Sequence, residues 1–204
     1  ADPAWERAPA TTWPLIPNVI KEPRLYFSLN SLVTARLLYN ADALALRLDV
    51  DDRTYSVPGH PKERAMAHDD IAPTPDALAV QFPAALPAIS ERPLFRHGDP
   101  GHPVNIWYWG APSAAPAAPA RVRMLDAAGP DRPPVPRPDE SGLSASGAWQ
   151  DGQWRVVLRR ALRTAEPRDI QFEIGRYIPV AFANWDGWAG QSGGRHTLTA
   201  WYWM

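Results

Sequence analysis

The chain has 204 residues, a net charge of −1 from 21 basic and 22 acidic side chains, 24 prolines, ten tryptophans and no cysteine. The missing thiols exclude disulfides, iron–sulfur clusters, Cys-ligated zinc and covalent CxxCH haem. The balanced charge offers no basic excess for a phosphate backbone, so nucleic acid is not an expected partner. Apolar runs are broken by Arg, Asp or Pro well before the roughly 18 residues that a transmembrane segment needs.

The start at Ala1-Asp2-Pro3, without Met or an apolar leader, is what a removed secretory signal leaves, or an expression scar; we expect a secreted, periplasmic protein. Residues 1–30 read as an extended, Pro-rich N-terminal arm carrying Trp5 and Trp13, fit to lie on a partner. Residues 31–204 read as a single domain. Val33, Ala35, Leu37 and Tyr39 recur with period two, and after Asn40-Ala41-Asp42 so do Leu44, Leu46, Leu48 and Val50. Two such runs around an Asn/Asp turn predict a β-hairpin. A helix there would bury Arg47 and Asp49.

Residues 52–75 read as a polar loop with His60 and His68. Strands are expected at 77–82 and 104–109. Residues 111–138 form a Pro/Ala-rich excursion around a brief strand at 121–125. Strand periodicity returns at 153–162, 169–174, 178–185 and 197–203, the last two flanking a Gly-rich loop. Short strands at this spacing, with prolines excluding long helices, predict an all-β fold, an antiparallel β-sandwich.

Catalytic motifs are scarce: there is no GxSxG, HExxH, P-loop or GxGxxG. Asp51-Asp52 and Asp69-Asp70 read as solvated turn pairs. Among five histidines, His97 lies in Phe95-Arg96-His97-Gly98-Asp99 before an aromatic strand, and His196 opens the last strand beside Leu198, Ala200 and Tyr202. A lone His on an apolar face is ordinarily a hydrogen-bonded core residue. Two of them, each beside a Gly turn and each next to an arginine (Arg96, Arg195), also suit haem, which needs two axial donors, an apolar slot and nearby cations.

Several stretches carry a family resemblance in consistent order. They are Ala35-Arg36-Leu37-Leu38-Tyr39-Asn40, residues 75–83, Phe95-Arg96-His97-Gly98-Asp99 with residues 103–109, and Gly147-Ala148-Trp149 with residues 151–156. The last are residues 179–187 with Gly194-Arg195-His196 and Trp201-Tyr202-Trp203. In these the chain resembles the haem b-binding gamma subunits of the type II dimethyl sulfoxide reductase family, such as those of ethylbenzene dehydrogenase, dimethyl sulfide dehydrogenase, and selenate and chlorate reductases. The resemblance implies a β-sandwich whose loops enclose one non-covalent haem b, and an electron-transfer role with no bond chemistry of its own, so not an enzyme. The implied partners are a molybdenum catalytic subunit and an iron–sulfur subunit, or a soluble redox protein. The family pattern has a Met ligand where this chain has His97, and a Lys ligand at or beside His196. It thereby implies His97 and His196 as metal ligands, with His102 and then Met124 in reserve, and Phe95, Arg96, Trp185, Arg195 and Trp201 as cofactor-binding residues. The competing expectation is a secreted, Trp-rich carbohydrate-binding module.

Overall fold

The structure, a computed structural model, describes residues 2–56, 73–88, 91–112, 120–138 and 142–204. After a single helical turn, α1 (Ala4–Arg7), the chain builds an antiparallel β-sandwich. One sheet has the order β1 (Ala10–Pro14), β3 (Leu32–Tyr39), β4 (Ala43–Asp51), β10 (Gln153–Ala161), β9 (Ser144–Gln150). The other runs β2 (Ile16–Pro17), β12 (Thr197–Leu198), β11 (Pro179–Trp185), β5 (Ala77–Pro83), β6 (Val104–Gly110), β7 (Arg121–Ala127), β8 (Val135–Pro136), with β13 (Tyr202–Trp203) added on β11. Among the described residues no helix is long and apolar enough to cross a membrane.

The expected hairpin is β3–β4. The Asn40 side-chain oxygen accepts the N–H groups of Asp42 and Ala43, which closes the turn and sets Tyr39 opposite Leu44. That register points Leu44, Leu46, Leu48 and Val50 inward, against Leu78, Val80, Phe82, Trp107, Trp109, Val180 and Phe182 of the facing sheet. Arg47 and Asp49 are buried too, on the opposite face of β4. They are tolerated because Asp49 pairs with Arg36, Arg47 and Arg155 at 2.8–3.1 Å, and Glu6 reaches Arg47 at 3.4 Å.

The brief strand expected within residues 111–138 is present as β7, two residues longer, and pairs along its whole length with β6. Three expectations change. Residues 10–17 are no free arm: β1 and β2 join one sheet each, and Trp13 stacks on Phe182 and Tyr202 in the core. Residues 169–174 form no strand, because their polar groups bond elsewhere; Ile170 N–H donates to Asn105 and Phe172 N–H to Leu162. The last strand is broken between β12 and β13. The Thr199 hydroxyl accepts the Phe182 N–H, which shifts the alternation so that Tyr202 turns to the core instead of joining His196.

Candidate cofactor pocket

The period-two rule leaves β5, β6 and β11 with a second face, turned away from the sandwich core. On it lie Ala79, Gln81, Ile106, Ala181, Ala183 and Trp185, with Ala183 opposite Ala79 and Ala181 opposite Gln81 across the β5–β11 pair. Three alanines side by side make a flat, recessed apolar floor. Above it is a narrow, open-mouthed pocket, also lined by Phe95, Arg96, His97, His196, Leu198 and Thr199. The pocket is therefore on the outer face of the sheet, with residues 95–97 over it.

His97 comes from the turn before β6. Its φ of 58° is left-handed, which a non-glycine residue adopts only when its surroundings enforce it. Two bonds do so: its N–H donates to Gln81 Oε1 (3.1 Å), and its carbonyl accepts the Gly129 N–H (2.8 Å). Gln81 also donates through Nε2 to the Phe95 carbonyl (2.9 Å), so one buried amide clamps both ends of the Phe95–His97 stretch. Gly98 is required next, at φ 67°, because a Cβ there would lie 2.4 Å from the His102 carbonyl oxygen.

His196 precedes β12. Its Nδ1 lies 3.0 Å from the Gly193 carbonyl, which can only accept, so Nδ1 carries the proton. Its ring packs on Trp185, centroids 4.9 Å apart. Burial pushes the His196 imidazole down to about 4, and the charges of His97 and Arg96 push the same way against the helpful Gly193 bond. Burial also takes His97 down to about 4, with Arg96 and Lys21 adding to it. Both rings are neutral at pH 7, and a proton on His97 would further disfavour one on His196. With Nδ1 protonated, neutral His196 has its lone pair on Nε2, the form a metal needs.

Of the residues singled out from the sequence, the pocket brings together Phe95, Arg96, His97, Trp185 and His196. Trp201 is not in the lining; it is buried beside it and donates through Nε1 to the Pro93 carbonyl (2.7 Å), supporting the His97 turn. Arg195 is exposed and outside the lining. His102 bonds Asp99 (2.9 Å) and lines a different depression. Met124 is wholly buried in the sandwich core, on the other side of the sheet, and cannot serve. His60, His68, Asp69 and Asp70 lie outside the described residues. Gln81, the alanine floor and Lys21 were missed. Alanines alternating with large side chains along a strand were the available signal.

The ethylbenzene dehydrogenase family model matches residues 124–197, a stretch that includes Trp185 and His196. Chlorate reductase subunit gamma of Ideonella dechloratans is 34% identical over 63% of this chain and 49% of its own length. Dimethylsulfide dehydrogenase subunit gamma of Rhodovulum sulfidophilum is 32% identical over 58% of this chain and 43% of its own. A protein of Haloferax mediterranei, provisionally named as a respiratory nitrate reductase heme subunit, is 32% identical over 62% of this chain and 42% of its own. Over about three fifths of its length the chain is similar to these gamma subunits. It spans half or less of each of those relatives. Similar solved structures include a family 9 carbohydrate-binding module of Caldicellulosiruptor kristjanssonii in complex with cellotriose. Its TM-score is 0.48 at 12% identity, covering 98% of this chain and 75% of that one, and a likeness at this level carries no argument here.

Proposed function

We propose that this chain is a b-type cytochrome that holds one haem between His97 and His196. It transfers electrons in the periplasm, as the haem subunit of a molybdenum oxidoreductase or a relative of that subunit. Its partners on this reading are a molybdenum catalytic subunit and an iron–sulfur subunit, or a soluble redox protein.

The observation that carries the reading is the pairing, in one apolar pocket, of two neutral imidazoles that the chain presets from separate elements. The residues suit the group. The alanine floor and Phe95 offer a flat apolar surface, and Arg96 and Lys21 place positive charge beside His97, where carboxylates of a bound ligand gain a partner. Haem, when bound, supplies a one-electron redox centre. The chain's own groups hold, orient and shield: Gln81 fixes the His97 turn, Gly193 fixes the His196 tautomer, and Trp185 and Phe95 exclude water. The carbohydrate reading expects exposed tryptophan platforms, whereas among the described residues Trp203, at 40%, is the exposed one.

The test is reconstitution of the purified chain with haem b. One haem per chain, extractable by acid–acetone, is the expected result; a colourless protein retained on polysaccharide would replace it with the second reading.

A further inference from the structure

A second cluster stands apart from the imidazoles. Asp52 directly follows β4, Asp76 directly precedes β5, and Asp186 directly follows β11. Trp185 faces Ala77 across the β11–β5 pair, so Asp76 and Asp186 sit at the same end of that sheet, and Asp52 arrives from the other sheet. Each offers a carboxylate oxygen, all within 4.8 Å of one another, and the residues are only 1%, 1% and 5% exposed. The turn reading of Asp51-Asp52 therefore fails for Asp52. The buried ion pairs of the described residues are made elsewhere, by Asp49, Asp126 and Asp169, and none involves these three.

Three buried carboxylates this close repel unless a proton or a cation stands between them. Hydrogen bonds favour the charged form of Asp76, against burial, which pushes its carboxyl up to about 8. Its oxygens accept three N–H groups, from Ser56 (3.0 Å), Trp154 Nε1 (2.9 Å) and Gly187 (2.7 Å). Asp52 Oδ1 accepts the Thr54 N–H and hydroxyl, both at 3.1 Å, while its Oδ2 is buried without a partner. Burial, then mutual repulsion, push the Asp52 and Asp76 carboxyls up.

A neutral side chain points the same way. Asn30 is 4% exposed, and its amide faces Asp52 closely enough to favour the carboxylate. Yet its Nδ2 makes no well-formed hydrogen bond. Amide oxygen and nitrogen are exchanged by a simple flip. Turned over, Asn30 presents its oxygen to the cluster.

We propose that Asp52, Asp76 and Asp186, joined by Asn30, form a calcium site that ties the two sheets together. The donors are all oxygen, which selects a hard cation over zinc or copper. Oxygens across a calcium ion stand at most about 4.8 Å apart, twice a bond of roughly 2.4 Å, and calcium accepts irregular geometry; magnesium demands a tighter octahedron. The site also anchors the loop that leads to His196. Gly187 starts that loop, and a Cβ there would lie 1.8 Å from the Thr74 carbonyl oxygen, so only glycine brings its N–H to Asp76.

The test is calorimetric titration of calcium chloride into the chelator-treated full chain, with melting curves in calcium and in EGTA. We expect one calcium per chain, a higher Tm in calcium, and at least ten-fold weaker binding in Asp52→Asn and Asp186→Asn. In EGTA, Asp52→Asn should melt no lower than the wild type, because it removes one of three repelling charges. Should a variant fail to fold, the wild-type titration still decides. No calcium binding by the wild type, equal affinity for magnesium, or undiminished binding in both variants overturns the proposal.

Discussion

Trp185 and His196 donate to the same carbonyl, that of Gly193, at 2.9 Å and 3.0 Å, while their rings pack at a tilt of 35° with centroids 4.9 Å apart. One backbone oxygen thus sets both the tautomer of the imidazole and the orientation of the indole beside it. Trp185→Phe keeps an aromatic ring but removes one of the two donors. The expected result is weaker haem retention, by roughly three- to ten-fold, with the same spectrum, measured by transfer of haem to an acceptor protein; the loss of about 1 kcal/mol is what one hydrogen bond contributes.

Gln81 is a positioning residue. Gln81→Leu keeps the volume but removes both the acceptor of the His97 N–H and the donor to Phe95, leaving a left-handed residue without one of its restraints. Two bonds of about 1 kcal/mol each predict roughly ten- to thirty-fold weaker haem binding and a lower Tm. Haem titrations of the two proteins check it.

Acid should loosen the haem-free chain. Burial holds both histidines at about 4, below their ordinary 6.5, so the unfolded chain binds more protons than the folded one between those values. Stability is therefore complete above about pH 6.5 and falls as pH drops toward 4, by on the order of 3 kcal/mol for each histidine. Arg96, on the same turn, and Lys21, from the N-terminal segment, deepen the effect; Asp131, paired with Lys21 at 2.9 Å, moderates it. Urea titrations across this window, repeated with His196→Gln, should show a shallower fall in the variant.

A thioether donates weakly and favours ferrous iron, whereas imidazole favours ferric. His97→Met, placed in the same apolar pocket, should therefore raise the haem midpoint, since burial contributes equally to both proteins. Side-by-side redox titrations, with ligation of the sulfur verified by spectroscopy, check the sign.

The hairpin at residues 32–51 was legible because its turn residue, Asn40, and its period-two faces agree. Strand β9 was not, because Ser144, Ala145, Ser146 and Gly147 carry no apolar alternation; it exists by pairing with β10. Trp13 shows the same limit. Its flanking prolines suggest a detached arm, but pairing with β3 draws it under Phe182. Both imidazoles of the pocket were visible through their Gly turns and aromatic neighbours. Gln81 and the alanine floor were not, since their meaning depends on which face of β5 and β11 meets the core. The three aspartates are separated by 24 and 110 positions, and only the sandwich brings their strand ends together.

The spectrum of the haem-loaded chain tests the central claim most directly. With His97 and His196 both ligating, the ferric protein should be six-coordinate and low-spin by absorption and electron paramagnetic resonance. His97→Ala and His196→Ala should each turn high-spin or lose the haem, while His102→Ala should match the wild type. A wild-type chain that takes up no haem, or a low-spin spectrum that survives either of the first two substitutions, would contradict the account.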